Sequence, residues 1–89
     1  MSDSADLINS PQLKTLVEAG AVQRLMGRGI PGGFVLVARV GMRERTLGAQ
    51  RGGARIFKSA NGVLGYAKTA GVRHVDFDLA SYDPFSRLF

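Results

Sequence analysis

The sequence has no cysteine, a single histidine, and no apolar run longer than the five residues Phe34-Val35-Leu36-Val37-Ala38. Without cysteine there can be no disulfide, no thiolate nucleophile and no thiolate metal ligand, a composition that suits a reducing cytoplasm. A five-residue apolar run is far short of a membrane-spanning helix. The opening Met1-Ser-Asp-Ser-Ala-Asp6 is polar and acidic, unlike a secretory signal. These absences make a cytoplasmic protein without membrane contact the expectation. Catalytic patterns are missing as well: His74 has no accompanying serine elbow or nucleophile. No enzymatic activity and no cofactor are expected.

What is present is an ordinary globular composition. Hydrophobic content of 45% and charged content of 21% separate the chain from disordered sequences, and 89 residues are enough for one small domain. The net charge is +5, and nine of the twelve basic residues are arginine. A planar guanidinium fork matches phosphate and carboxylate better than an ammonium does, so an anionic partner enters consideration.

Along the chain, residues 1–9 read as a flexible arm, residues 10–83 as a single domain and residues 84–89 as an apolar terminal segment. Ser10-Pro11 reads as an N-cap with proline in the first helical position. Leu13, Leu16 and Val17 follow at helical spacing until Gly20 provides a left-handed stop. Val22–Arg28 reads as a strand and Gly29–Gly33 as a turn. Phe34–Val40 reads as the central strand because both of its alternating faces are largely apolar. Arg43–Gln50 and Arg55–Lys58 read as further strands around an Arg51-Gly52-Gly53 turn. Ser59 or Asn61 can cap a second helix whose inner face is Val63, Tyr66, Ala67 and Ala70, ended by Gly71. A last strand over His74–Leu79 directs Val75, Phe77 and Leu79 inward. The class is therefore α+β, a mostly antiparallel sheet of four to five strands with two helices on one face.

Three motifs need weighing. Gly27-Arg28-Gly29-Ile30-Pro31-Gly32 matches G-x-G-x-x-G by letter. It leads into a strand where a dinucleotide site requires a helix, and the reading is a turn. His74, Asp76 and Asp78 alternate on one strand face. With one histidine and seven carboxylates in the whole chain, a solvated face whose aspartates pair with neighbouring arginines is preferred to a metal site. The stretch Met42–Phe57 carries Arg43, Arg45, Arg51 and Arg55 around a glycine pair. It can be a grip on a phosphate backbone or the wet face of a hairpin, and composition leaves both open. Beyond it, Asp83-Pro84 precedes Phe85, Leu88 and Phe89, which can dock on the parent domain or form an interface with a second copy, giving a homodimer.

Three stretches carry a family resemblance: Ser10–Val22, Ile30–Arg45 with its Pro31-Gly32-Gly33-Phe34 and Gly41-Met42-Arg43-Glu44-Arg45 blocks, and Val75-Asp-Phe-Asp78 followed by Tyr82-Asp83-Pro84. Over residues 10–84 the chain resembles the small ParC-type partition-associated proteins of bacterial plasmids, which are unrelated to the topoisomerase subunit of that name. The resemblance implies an accessory role in plasmid maintenance, beside partition proteins and DNA, and carries no catalytic or binding residues with it. The expected function is a non-enzymatic accessory that binds a protein partner, DNA or both. The alternative is a structural or inhibitory interaction module with no nucleic-acid binding.

Overall fold

The computed structural model describes residues 6–83. Its elements run β1 (Leu7–Ile8), α1 (Ser10–Glu18), β2 (Val22–Ile30), β3 (Gly33–Val40), β4 (Arg43–Leu47), α2 (Ala60–Thr69) and β5 (Asp76–Asp78). The five strands form one sheet in the order β1-β4-β3-β2-β5. The three central strands are antiparallel, and each edge strand is parallel to its neighbour. This is the α+β class that the alternation predicts, with β3 at the centre.

Both helices are defined at their ends by local chemistry. Asn9 rather than Ser10 caps α1: the Gln12 N–H donates to Asn9 Oδ1 at 2.8 Å, and the Asn9 N–H donates to Gln12 Oε1 at 3.0 Å. This reciprocal capping box requires a Gln or Glu three residues beyond the cap, and Asn9 has one in Gln12. Ser59 caps α2 by accepting from the Gly62 N–H at 3.1 Å. The two helices stop in the same way. Gly20 (φ 72°) and Gly71 (φ 90°) adopt left-handed conformations. The paired bonds Ala21 N–H to Leu16 O and Gly20 N–H to Val17 O close α1, and Val72 N–H to Ala67 O with Gly71 N–H to Lys68 O close α2.

One core lies between the helices and the sheet. Leu13 from α1 and Val63 and Ala67 from α2 meet Leu25, Phe34, Leu36, Ala38 and Leu47 from the strands. Phe34 is its aromatic hub, edge-on to Phe77 at 5.4 Å and stacked on Tyr82 at 4.7 Å. The opposite face of the sheet carries no helix. Val37 is nevertheless buried there, because the Arg28–Glu44 ion pair (3.2 Å) reaches across β3 above it.

Several features differ from the expectation. Leu7 and Ile8, assigned to a free arm, form the edge strand β1, with Ile8 in the core. Strand β2 runs through Gly29 to Ile30, which leaves Pro31-Gly32 alone as the turn; Gly32 takes the positive φ (84°) that only its second position needs. Arg55–Lys58 does not make a regular strand. The β4–β3 ladder ends at Thr46, the chain leaves in a hairpin over residues 47–55, and Phe57 returns to exchange two backbone bonds with Phe34. Leu79 points outward, 58% exposed, because β5 ends at Asp78 and the alternation ends with it.

Candidate anion-binding surface

The four arginines of the 42–57 stretch do not form one row. Strand parity explains the first division. Leu47 is in the core, so Arg45 and Arg43, two and four residues earlier, lie on the same helix-facing side of β4. Arg45 is consequently drawn under α1, where Nη2 donates to the Leu7 carbonyl at 3.2 Å and Nε is buried without an acceptor. Its side chain is half-buried where exposure was expected. Arg43 lies at the open end of the same face and pairs with Asp6 at 3.0 Å.

Arg51 and Arg55 belong to the hairpin. Its arms are joined by Arg55 N–H to Leu47 O and Ala49 N–H to Gly53 O, and its turn closes through Gly52 N–H to Ala49 O. Gly52 (φ 96°) and Gly53 (φ 69°) supply the left-handed conformations that let it fold back. Arg51 stands at the exposed tip. The Arg55 guanidinium is seated 4.7 Å from the Phe57 ring centroid and 5.2 Å from that of Tyr66. Two rings constrain the long side chain and favour its charged head electrostatically. Tyr66 is itself fixed by a 2.6 Å hydrogen bond between its hydroxyl and that of Ser10. Phe57 thus combines a core position with a seat for the guanidinium, two roles that sequence alternation treats as exclusive.

Arg55 opens onto a cleft of about 490 Å³ between the start of α1 (Asn9, Ser10, Pro11) and the first arm of the hairpin (Gly48, Ala49, Gln50). Neither Arg51 nor Arg55 has a carboxylate partner among the described residues, whereas Arg24 (with Asp76, 2.7 Å), Arg28 and Arg43 do. The hairpin is therefore a locally uncompensated positive surface. Sequence spacing grouped it with Arg43 and Arg45; of the two rings that distinguish Arg55, Phe57 is two residues away and Tyr66 eleven.

The other motifs resolve into packing. A Cβ on Gly27 would lie 2.8 Å from the Phe77 ring, and one on Gly29 would lie 2.5 Å from Tyr82 Cβ and 3.0 Å from the Asp78 carbonyl. One on Gly33 would meet the Phe57 carbonyl oxygen. The first two glycines of the G-x-G-x-x-G run, Gly27 and Gly29, admit neighbouring chain segments, and the third, Gly32, forms the turn. Asp76 pairs with Arg24, and Asp78 Oδ1 accepts from the Ala80 N–H at 3.0 Å. Among the described residues no group of three or more histidine, aspartate or glutamate side chains could hold a metal ion. No helix there is long and apolar enough to cross a membrane. Phe85, Leu88 and Phe89 lie outside the described residues.

The described residues thus form a small α+β domain with a helix-free sheet face and an arginine hairpin beside its first helix. The model of the ParC-like family matches residues 8–85, and the chain belongs to that family. No curated protein and no solved structure matches it significantly.

Proposed function

We propose that this ParC-like chain is a non-enzymatic accessory of plasmid maintenance that works in the bacterial cytoplasm by binding DNA, a partition protein or both. The observation carrying the DNA part is the hairpin: Arg55 seated on two aromatic rings, Arg51 at the tip, and neither opposed by a carboxylate among the described residues. A guanidinium held in place like that of Arg55, and uncompensated like both, is suited to phosphate oxygens, and backbone N–H groups of a glycine turn can add to the contact. Arg43 and Arg45 contribute little, one being paired and the other drawn inward. The three ion pairs elsewhere favour the second reading, a protein-interaction module whose arginines serve solubility and cross-strand pairing.

The test is the salt dependence of duplex DNA binding, followed by fluorescence anisotropy. Each phosphate contact adds about 0.9 to the log–log slope, so an Arg51→Gln/Arg55→Gln variant loses close to two units. Arg45→Gln leaves the slope unchanged. A parent protein without salt-dependent binding, or a double variant with the parent's slope, refutes the DNA reading and favours the protein-interaction one.

A further inference from the structure

A second cleft, of about 410 Å³, lies between α1 and the β1–β4 edge and is lined by Ile8, Pro11, Gln12, Thr15, Leu16 and Arg45. We propose that it binds a small amphipathic carboxylate, an apolar body bearing a single carboxylate group, with Arg45 as the charge partner. This inference is independent of the DNA reading, which rests on Arg51 and Arg55.

Two of the three polar side chains lining the cleft, Arg45 and Gln12, offer donors. Arg45 spends one N–H on the Leu7 carbonyl, and its Nε is buried without an acceptor. No carboxylate among the described residues forms an ion pair with it. Gln12 uses Oε1 to accept from Asn9 in the capping box, which leaves its amide N–H groups to donate. The Thr15 hydroxyl proton is committed to the Pro11 carbonyl at 3.0 Å. The remaining walls, Ile8, Pro11 and Leu16, are apolar. A guanidinium partly withdrawn from water without a counter-ion is unfavourable, and an anion entering beside it relieves that. A carboxylate matches the guanidinium fork, while the apolar walls select an apolar body over a bare inorganic anion. The volume lies in the range of small-molecule sites, and a few donors set among apolar walls are their usual composition.

The experiment is a titration of the full chain, followed by backbone amide chemical shifts, with hexanoate as the free-molecule probe. A peptide, acetyl-Leu-Glu-Leu-amide, presents the same chemistry as a protein side chain. Saturable shifts at Ile8, Gln12, Thr15 and Arg45 are expected for hexanoate. Binding should be at least about ten-fold weaker for hexanol, which lacks the charge, and for an Arg45→Met variant whose fold is verified by its amide spectrum. Arg45→Lys, which keeps the charge but not the fork, should fall between. Tighter binding of the peptide than of hexanoate would reassign the ligand to a partner's side chain and overturn the small-molecule form. Absence of saturable shifts with hexanoate up to about 1 mM, or equal binding by hexanol or Arg45→Met, overturns the proposal.

Discussion

Replacing Gly29 by alanine should be among the most damaging single-methyl additions available to this chain. Gly29 has no positive φ, so the backbone itself accepts alanine without strain. The obstacle is the segment that follows β5. The new Cβ falls 2.5 Å from Tyr82 Cβ, 3.1 Å from Tyr82 Cα and 3.0 Å from the Asp78 carbonyl oxygen. Two of those atoms are backbone and the third is bonded to it, so no side-chain rotation relieves the contact. The 78–82 segment must move off the sheet. Its displacement separates Tyr82 from Phe34, stacked at 4.7 Å, and uncovers a core phenylalanine. Overpacking costs about 1–3 kcal/mol, and loss of an aromatic pair adds about 0.5–1.5 kcal/mol. A destabilisation of about 3 kcal/mol is expected, which in a domain of this size lowers Tm by more than about 12 °C. Gly27→Ala is the internal control: its Cβ meets only the edge of the Phe77 ring at 2.8 Å and a Val63 methyl at 3.5 Å, and a ring can turn. It should cost less than half as much. Urea denaturation gives both values. Because the chain has no tryptophan and only two tyrosines, tyrosine emission in a Tyr66→Phe background reports the release of Tyr82. A Gly29→Ala protein as stable as Gly27→Ala, with unchanged tyrosine emission, refutes the packing role assigned to this glycine.

Asn9→Ala removes the side-chain acceptor of the Gln12 N–H while the backbone N–H to Gln12 Oε1 can persist, and should cost about 1 kcal/mol by urea denaturation, whereas Ser10→Ala at the neighbouring position leaves the cap intact. Tyr66→Phe breaks the 2.6 Å bond to Ser10 while keeping the ring under Arg55, so a loss of about 0.5–1.5 kcal/mol with unchanged DNA affinity is expected from parallel melting and anisotropy measurements. If Phe85, Leu88 and Phe89 form a homodimer interface, deleting residues 84–89 converts a dimer into a monomer by sedimentation. A parent chain that sediments as a monomer at about ten micromolar removes that proposal.

Periodicity made most of the sheet legible. Phe34–Val40 is apolar on both alternating faces, and it is the central strand; Val63, Ala67 and Ala70 repeat at helical spacing, and they are buried. What periodicity conceals is pairing that depends on distant segments. Strand β1 is only Leu7-Ile8, too short to show an alternation, and it exists because β4 offers a parallel edge. The cap of α1 turned on Gln12, a residue that a Ser-Pro reading does not consult. For the site, a useful signal was present and unread: Leu47 at the end of β4 fixes the parity of Arg45 and Arg43 beneath the helix layer. Of the ring seat of Arg55, Phe57 lies within the same stretch, but Tyr66 was not legible because it comes from α2.

The detour taken by the chain between Leu47 and Phe57 has a consequence for how such a protein can diversify. The excursion is sealed at its base by Arg55 N–H to Leu47 O and Gly48 N–H to Ile8 O, and the ladder to β3 resumes at Phe57 regardless of what lies between. Doubling the length of a surface loop costs only about 0.6 kcal/mol in closure entropy. Residues 49–54 can therefore be lengthened, shortened or recoded while the frame that carries them stays in register. The tip of the excursion, Arg51 included, is thus free to vary in sequence, whereas Arg55 is tied by Phe57 and Tyr66 to the folded frame.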